Sequence, residues 1–374
     1  MLTSRAAVLD AANGQFSISS APVPDPEPGC IILRQELCGI CGTDAHIARG
    51  HLPYVRFPVV MGHECVGVVE ALGSGVATDM TGRPLAVGDR IYLVPGMRCG
   101  RCYFCVVTNE PVLCTATRAF GFGPLPDKPR EVQGGYAQYL YLPPEAGVLK
   151  MDVDALQAAI LEPLAISMHV TESARFLPGD TVVVQGAGAI GLLTMLAARE
   201  AGADHVLVVG APASRLDLAR EFGANDTIDL STVRDGAERV RLVQEFSRSG
   251  LGADVVFECT GVPAAVPEGI DMLRRGGRYV VAGHFTDVGG VEMNPHAHFT
   301  RKQVTLQGVW SSDRQHFVRG RAIVENGRYD FRRLITHRLP LERVGDGIKA
   351  MSGAYVLDGR EVMKVVIAAN DAEG

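Results

Sequence analysis

A glycine-rich turn links a strand-like segment to a helix-like one. In TVVVQGAGAIGLLTMLAARE, the residues Gly186, Gly188 and Gly191 have the spacing GxGxxG. Gly186 permits a tight turn, Gly188 lets the backbone approach a pyrophosphate, and Gly191 allows close packing of the helix on the strand. We therefore expect this turn, with Ala189 and Ile190, to bind a dinucleotide at a helix N-terminus. The alternative is a glycine turn without a ligand.

Strand-like and helix-like segments continue to alternate after this turn. Between about residues 154 and 300, apolar runs such as HVLVVG and ADVVFECTG are separated by amphipathic stretches such as ASRLDLAREFG. This alternation is typical of parallel βαβ units. It predicts an α/β fold in which residues 161–309 form a doubly wound parallel sheet.

The rest of the chain has a different pattern. Up to residue 160, short apolar runs such as CVGVVEAL and DRIYLVPG lie between Gly, Pro and Asp, which indicates an irregular, mostly β domain. The segment 310–374 contains a helix-like stretch, RVGDGIKAM, and a terminal strand, but it is too small for a core of its own. We expect it to pack on residues 1–160, so that the 374 residues form two domains.

The charge of the chain limits its partners. The formal net charge is −6, and no run of Lys or Arg forms a basic stripe, which argues against nucleic-acid and membrane partners. The first ten residues lack the apolar core of a signal peptide, and glycines and Gln185 interrupt the longest apolar stretch. We therefore expect a cytoplasmic protein without a membrane span.

Four cysteines lie close together in the loop 98–115. Cys99, Cys102, Cys105 and Cys114 follow the pattern Cys-x-x-Cys-x-x-Cys, with the fourth cysteine after eight further residues. Without a secretory signal, such clustering favours a metal over disulfides. Four thiolates close a tetrahedron around zinc and leave no position for a substrate, so we predict a structural zinc site. The alternatives are a nucleic-acid-binding zinc ribbon, which an acidic protein disfavours, and unligated cysteines.

A second group of metal-ligand residues is dispersed along the chain. Cys41 and His46 lie in LCGICGTDAH, and His63 and Glu64 lie in VVMGHECVG. Spacing alone does not assign them, because a single histidine is more often a packed or surface residue than a ligand. They belong, however, to an ordered series of motifs: CGICGTDAH, GHE, the four-cysteine loop, GGYAQY, EPLAISMH, GAGAIG and ITHRLPLERV.

With this order of motifs, the chain resembles the zinc-containing medium-chain dehydrogenase/reductase (alcohol dehydrogenase) superfamily from end to end. The motifs are nearest to its sorbitol and threonine dehydrogenase branch. The resemblance implies a GroES-like catalytic domain, formed by residues 1–160 and 310–374, and a Rossmann cofactor domain over residues 161–309. It also implies NAD or NADP, one catalytic and one structural zinc per chain, a small alcohol or ketone substrate, and a homodimer or homotetramer.

The resemblance assigns ligands to the catalytic zinc. It makes Cys41 the thiolate ligand and His63 the imidazole ligand, and it makes Asp44 the partner that orients His63. Glu64 is either a direct ligand or a residue that swings in during ligand exchange. Glu162 either holds the zinc, directly or through water, or is a carboxylate at a helix start. Catalysis requires three protein ligands and an open position.

The resemblance also implies a route for the proton of the substrate. Bound zinc lowers the pKa of coordinated water from 15.7 to about 7, and we expect a similar effect on an alcohol, which then transfers hydride to nicotinamide. Thr43 resembles the hydroxyl that takes the proton, and His46 resembles the group that passes it to solvent. Without the motif, Thr43 would be interpreted as a turn residue and His46 as a surface residue.

Further residues are candidates for cofactor binding. An acidic residue normally ends the second strand and binds the ribose hydroxyls, but here HVLVVG ends in Gly210. Without an acidic residue at this position, no negative charge repels the 2′-phosphate of NADP, so NADP is an acceptable cofactor. Arg215 either reaches that phosphate or is a solvated helix residue. Thr260 and Gly283 follow strands at the edge where open α/β sheets bind ligands. Lys364 resembles a basic residue that reaches the pyrophosphate; the alternative is an ordinary strand-edge lysine.

The residues expected near the substrate depart from the polyol branch. Polyol dehydrogenases that resemble this chain carry an arginine after an aromatic residue, whereas here GVW continues into Ser311 and Ser312. This departure weakens a sugar-alcohol interpretation, and Trp310 offers an apolar wall. We expect reversible oxidation of an alcohol to a ketone or aldehyde, with a hydrophobic or cyclic secondary alcohol as an option beside a polyol. The alternatives are a zinc-free enone or quinone reductase and a catalytically silent dinucleotide-binding protein.

Overall fold

The computed structural model describes residues 2–123, 134–353 and 355–371. The chain divides into two compact units: unit 1 comprises Met1–Glu162 and Asp313–Gly374, and unit 2 comprises Pro163–Ser312. These bounds lie close to the division that the sequence predicts, after residues 160 and 309. The C-terminal segment belongs to unit 1 because its last strand pairs with a strand of the N-terminal segment.

The strands in chain order are β1 Leu2–Leu9, β2 Phe16–Val23, β3 Ile31–Ile40, β4 Val59–Val60, β5 Glu64–Leu72, β6 Arg90–Val94, β7 Gly96–Met97, β8 Arg118–Ala119, β9 Tyr139–Leu142, β10 Gly147–Lys150, β11 Thr181–Gln185, β12 His205–Gly210, β13 Asp226–Asp229, β14 Ala253–Glu258, β15 Leu273–Val281, β16 Thr305–Gly308, β17 Ile335–Leu339, β18 Val356–Leu357, β19 Arg360–Glu361 and β20 Lys364–Ile367.

The helices in chain order are α1 Gly42–Ala48, α2 Tyr103–Val106, α3 Ala155–Ala158, α4 Leu161–Ser173, α5 Ala189–Glu200, α6 Ala213–Glu221, α7 Gly236–Phe246, α8 Ala265–Met272, α9 Arg314–Glu325 and α10 Val344–Met351. Short 3-10 or π turns lie at Pro111–Leu113, His296–Thr300, Phe331–Leu334 and Leu341–Arg343. Within the described ranges, no helix has the length and apolar character needed to cross a membrane.

A seven-stranded sheet forms the body of unit 1. Its order is β10-β6-β5-β3-β20-β17, and β9 pairs with β3 off this path. The neighbours are antiparallel except for β17 and β20. The long strand β3 pairs with β5, with β9 through its first residues and with β20 through its last residues. The C-terminal strand β20 is therefore an interior strand, and the prediction of a mostly β first domain is confirmed.

Unit 2 contains a six-stranded parallel sheet. Its order is β13-β12-β11-β14-β15-β16, and all five pairings are parallel. Strands β11, β12 and β14 are nearly continuous buried runs rich in valine, as expected for strands covered on both faces. The strand order reverses between β11 and β14, and this switch point is where doubly wound sheets bind ligands. The prediction of a doubly wound α/β domain is confirmed.

The glycine turn connects β11 to α5 at this switch point. Gly186 has φ +112°, a conformation that favours glycine. A Cβ atom on Gly191 would lie 1.9 Å from the carbonyl oxygen of Gly186, so the helix could not approach the turn so closely. A Cβ atom on Gly188 would meet nothing within 4 Å, so the backbone there has open space beside it in which a pyrophosphate could lie. A Cβ atom on Gly210 would lie 2.6 Å from the Cβ of Ala187, so packing on the turn requires glycine at the end of β12.

A buried carboxylate joins the two chain segments of unit 1. One oxygen of Asp79 accepts hydrogen bonds from the backbone N–H of Thr81 at 2.8 Å and of Arg83 at 3.0 Å. The other accepts from the backbone N–H of Lys150 at 3.0 Å and from the Arg321 guanidinium, on α9, at 3.1 Å. Burial alone would raise the pKa of Asp79, but these hydrogen bonds hold it below its usual value.

We expect Asp79→Asn to destabilise the protein by about 1–3 kcal/mol, because an amide NH₂ would face the donors of Lys150 and Arg321. Since the folded-state pKa of Asp79 is lowered, the carboxylate stabilises the fold above its unfolded-state pKa. That contribution is lost as the pH falls below about 4. Denaturant unfolding of both proteins at several pH values measures the difference.

The matched control is Asp152→Asn, which removes an exposed carboxylate that pairs with Arg83. This change is expected to alter the free energy of unfolding by about 1 kcal/mol or less. Equal losses in the free energy of unfolding in the two variants would contradict the structural role of Asp79. A loss in Asp79→Asn that stays the same at low pH would contradict it as well.

Candidate active site and metal centres

The pairing of β3 with β5 assembles the candidate catalytic centre. The two strands are antiparallel, and Gly39 is the partner of Glu64 in their register. Cys41, just after β3, therefore lies close to His63, just before β5. The Cys41 Sγ atom is 3.3 Å from His63 Nε2. The ligand atoms of Cys41, His63 and Glu64 all lie within 4.8 Å of one another.

Asp44 contacts the backbone of Cys41 and lies beside the imidazole of His63. It lies fully buried in the first turn of α1, and its Oδ2 accepts a hydrogen bond from the Cys41 N–H at 2.9 Å. Its Oδ1 is 3.7 Å from His63 Nδ1. A carboxylate on that side of the ring favours a proton on Nδ1, which leaves Nε2, the nitrogen facing Cys41, free to bind a metal.

The donor set fits a zinc ion. Burial raises the pKa of the Cys41 thiol, although the His63 imidazole opposes this effect. Burial alone would lower the pKa of His63, but Cys41 and Asp44 raise it well above its usual value. A thiol binds metal as the thiolate, so a cation at this point stabilises the ionised form against the cost of burial. Thiolate, imidazole and carboxylate are the usual protein ligands of zinc.

Glu162 lies beside this group but outside the compact set of three. It is buried near the start of α4, and its backbone N–H donates to the Tyr92 hydroxyl at 3.2 Å. Burial, followed by the Glu64 carboxylate, raises the pKa of Glu162 to about 7. The side chain thus interacts electrostatically with two of the three candidate ligands, Glu64 and His63.

Lys364 has a contact that the sequence did not indicate. Its Nζ donates to Glu64 Oε1 at 2.6 Å, and both side chains are almost fully buried. Burial would lower the pKa of Lys364, but Glu64 and Cys41 raise it. Gly39 makes room for the pair, since a Cβ atom there would lie 2.0 Å from Glu64 Oε2. Lys364 is the first residue of the interior strand β20, and its ammonium faces Glu64 rather than solvent. The alternative interpretation of an ordinary strand-edge lysine is therefore wrong.

The residues of the predicted proton route lie on α1. Thr43 and His46 are both half-buried. His46 Nδ1 is 3.1 Å from His51 Nδ1, which is hydrogen-bonding distance between the two imidazoles. Burial, then His51, lowers the pKa of His46. His51 lies three residues beyond the last residue of α1, and nothing in its local sequence pattern indicates this contact.

The four cysteines of the loop 98–115 form a second compact group. The sulfur atoms of Cys99, Cys102, Cys105 and Cys114 lie within 4.8 Å of one another, and none is in a disulfide. The Cys99 N–H donates to Cys114 Sγ at 3.4 Å. Backbone hydrogen bonds lower the pKa of Cys102 to about 6, which favours its thiolate. Four thiolates at these distances fit a tetrahedral zinc ion without an open position.

The predicted cofactor residues of unit 2 lie at the carboxyl edge of its sheet. Gly186 follows β11, Thr260 follows β14, and Gly283 follows β15. Arg215 lies in the first turn of α6, which follows β12. Glu258, the fully buried last residue of β14, was not predicted from the sequence; its carboxylate accepts hydrogen bonds from Thr260 and Gly283.

Comparisons with known protein families agree with this geometry. Residues 27–153 match a family described as "Alcohol dehydrogenase GroES-like domain". Residues 189–324 match a family described as "Zinc-binding dehydrogenase". The first match includes Cys41, His63, Glu64 and the four-cysteine loop. The second match begins at Ala189, in the glycine turn.

Individual relatives extend over almost the whole chain. A 5-exo-hydroxycamphor dehydrogenase of Pseudomonas putida is 32% identical, over 96% of this chain and 98% of that protein. An L-idonate 5-dehydrogenase of Vitis vinifera is 32% identical, over 84% of this chain and 82% of that protein. A zinc-binding dehydrogenase from Sinorhizobium meliloti, solved with NADP, is 30% identical with a TM-score of 0.84, over 98% of this chain and 100% of that one. This chain therefore belongs to the zinc-type medium-chain alcohol dehydrogenases, which are zinc-containing, NAD(P)-dependent oxidoreductases.

Proposed function

We propose that this dehydrogenase oxidises a hydrophobic or cyclic secondary alcohol at a zinc site formed by Cys41, His63 and a carboxylate. The observation that carries the proposal is the register of β3 and β5, which brings the ligand atoms of Cys41, His63 and Glu64 within 4.8 Å of one another. A zinc-free reductase of the same superfamily would not need this set of residues.

A zinc ion held by these residues supplies a Lewis acid that lowers the pKa of the alcohol hydroxyl. Asp44 keeps the His63 ring oriented through its proximity to Nδ1. The Thr43 hydroxyl accepts the proton of the substrate and passes it to His46. The His46–His51 contact extends this route by one imidazole.

The two carboxylates have different roles in this proposal. Glu64 is engaged by the Lys364 ammonium, which competes with a metal for its oxygens. Glu162 forms no direct ion pair among the described residues; burial, then the Glu64 carboxylate, raises its pKa, and the charges of His63 and Lys364 oppose this rise. We therefore assign Glu162 to the zinc, directly or through water, and Glu64 to a transient contact during ligand exchange.

An aromatic surface in unit 2 supports the choice of an apolar substrate. The rings of Phe285 and Trp310 are stacked, with centroids 4.6 Å apart and an angle of 11° between planes. Trp310 keeps 49% of its surface exposed, and it follows β16 at the carboxyl edge of the sheet. A ring pair of this kind packs well against an apolar ring but offers few hydrogen bonds to a polyol. The Pseudomonas putida relative acts on a hydroxycamphor, which is a cyclic secondary alcohol.

Both NAD and NADP are acceptable cofactors in this proposal. Gly210 provides no charge that would repel a 2′-phosphate, and Arg215 lies in the helix that follows. The Sinorhizobium meliloti relative was solved with NADP. We further propose a cytoplasmic enzyme that forms a homodimer or homotetramer.

A panel of alcohols tests the substrate proposal. Cyclic and apolar secondary alcohols, sugar alcohols and primary alcohols are each supplied with NAD+ and with NADP+, and the absorbance of the reduced cofactor is followed. We expect kcat/KM for the apolar secondary alcohols to exceed that for sugar alcohols by at least about tenfold, corresponding to roughly 1.4 kcal/mol. Preference for sugar alcohols would contradict the substrate class. No turnover of any alcohol by fully zinc-loaded protein would point to a catalytically silent protein.

Two cysteine variants separate the two metal sites. Cys41→Ser is expected to abolish turnover and to leave one zinc per chain, because the four-cysteine site is intact. Cys105→Ser is expected to lose the other zinc and to lower the melting temperature. Elemental analysis gives the zinc content of each variant.

Cys30→Ser is the matched control, since Cys30 is a buried cysteine that belongs to neither group. It should retain two zinc ions and turnover. Full activity in Cys41→Ser would refute its assignment as a ligand.

Removal of the Lys364 ammonium tests the buried ion pair. Lys364→Met leaves the Glu64 carboxylate buried without its counter-charge, so we expect a loss of about 3–5 kcal/mol in the free energy of unfolding. The double variant Glu64→Gln/Lys364→Met should recover most of this loss. Lys150→Met, at a partly exposed pair with Asp89, should cost about 1 kcal/mol or less. Guanidinium unfolding of zinc-loaded protein measures all three, and equal losses at Lys364 and Lys150 would contradict the assignment.

A further inference from the structure

Glu258 lies at the switch point of the parallel sheet in unit 2. It is the last residue of β14, it is fully buried, and its partner in the register is Gln185, the last residue of β11. Gly186, the first glycine of the dinucleotide turn, follows Gln185 directly. A cofactor bound across the carboxyl ends of β11 and β14 therefore has this carboxylate beneath it.

The Glu258 carboxylate connects the two turns that follow β14 and β15. Its Oε1 accepts hydrogen bonds from the Thr260 N–H at 2.6 Å, the Thr260 hydroxyl at 2.6 Å and the Gly261 N–H at 2.7 Å. Its Oε2 accepts from the Gly283 N–H at 3.1 Å and is 3.6 Å from His284 Nε2. The Gly283 N–H also donates to the Glu258 backbone carbonyl at 3.0 Å. Thr260 and Gly283, both predicted cofactor contacts, are thus held by the same residue, and its side chain connects them.

The two turns also touch each other closely. A Cβ atom on Gly283 would lie 2.3 Å from the backbone nitrogen of Gly261 and 2.8 Å from Glu258 Oε2. The backbones of the two turns are therefore in close contact beside the Glu258 carboxylate. Their shape depends on the acceptor geometry of Glu258.

The charge of Glu258 has a second effect. The four hydrogen bonds come from neutral donors, and His284 Nε2, at 3.6 Å, makes no hydrogen bond to the carboxylate. With a neutral His284 imidazole, the negative charge is therefore solvated but not cancelled. Reduction of NAD(P)+ adds a hydride and makes the cofactor more negative by one unit. A fixed anion in the floor of the site therefore disfavours the reduced cofactor relative to the oxidised one.

We propose that Glu258 is a positioning residue for the dinucleotide: it ties the turns after β14 and β15 together, and its buried charge favours the oxidised cofactor. The proposal rests on the NAD(P) dependence of the family and not on the identity of the alcohol.

The test is a calorimetric titration of zinc-loaded Glu258→Gln with NAD+, NADH, NADP+ and NADPH, without an alcohol. Either orientation of the amide directs its NH₂ group at backbone N–H donors, so the dissociation constant of the oxidised cofactor should rise by about tenfold. Because the charge is also lost, the ratio of the oxidised to the reduced dissociation constant should rise by about fivefold. An unchanged ratio would overturn the proposal.

Asp254→Asn is the matched control on the same strand. Asp254 lies near the amino end of β14, where its carboxylate accepts from the Thr181 N–H at 2.7 Å and from Arg274. The variant should lower the melting temperature without altering the cofactor ratio, since the site lies at the other end of the strand. If the ratio of the oxidised to the reduced dissociation constant changes equally in Asp254→Asn and Glu258→Gln, the role of Glu258 is only structural and its positioning role is refuted.

A second variant keeps the test decisive if Glu258→Gln does not fold. Glu258→Asp retains the charge but withdraws the carboxylate by about 1.5 Å, so it should weaken oxidised and reduced cofactors equally. Unchanged dissociation constants in this variant would refute the positioning role. Because no alcohol is present, failure of the alcohol panel leaves these titrations interpretable on their own.

Discussion

The antiparallel register between β3 and β5 is the constraint on which the catalytic centre depends. It brings Cys41 and His63, which are 22 residues apart in the chain, within direct contact of each other. A slip of one residue would direct the side chains of one strand to the opposite face of the sheet. Gly67 limits such a slip, because a Cβ atom there would lie 2.2 Å from the carbonyl oxygen of Arg34.

The C-terminal segment completes this centre through charge. Strand β20 pairs with the last residues of β3, and its first residue, Lys364, contacts Glu64. Without this ammonium, three acidic groups, Asp44, Glu64 and Glu162, would be buried together around a thiol and an imidazole. Unit 1 therefore combines two distant chain segments for an electrostatic reason as well as to complete its sheet.

The features that could be predicted from the sequence are those encoded within short segments. The alternation of TVVVQ and its neighbours with helices predicts the parallel sheet, and the spacing of four cysteines predicts their cluster. Strand β13, with the sequence DTID, was missed because it lacks an apolar pattern. The contact of Lys364 with Glu64 spans 300 residues, and Glu258 is defined by turns on two different strands. Tertiary packing creates such contacts, and local patterns carry no signal for them.

The close contact between Gly210 and Ala187 has a consequence for the evolution of cofactor preference. Strict selectivity for NAD in related folds uses an acidic side chain at the end of the second strand. In this backbone even a single added carbon at that position collides with the glycine turn. A lineage that started from this enzyme would reach strict NAD selectivity only by substituting a neighbouring position or by first remodelling the turn, so its choice of cofactor is constrained by history as well as by chemistry.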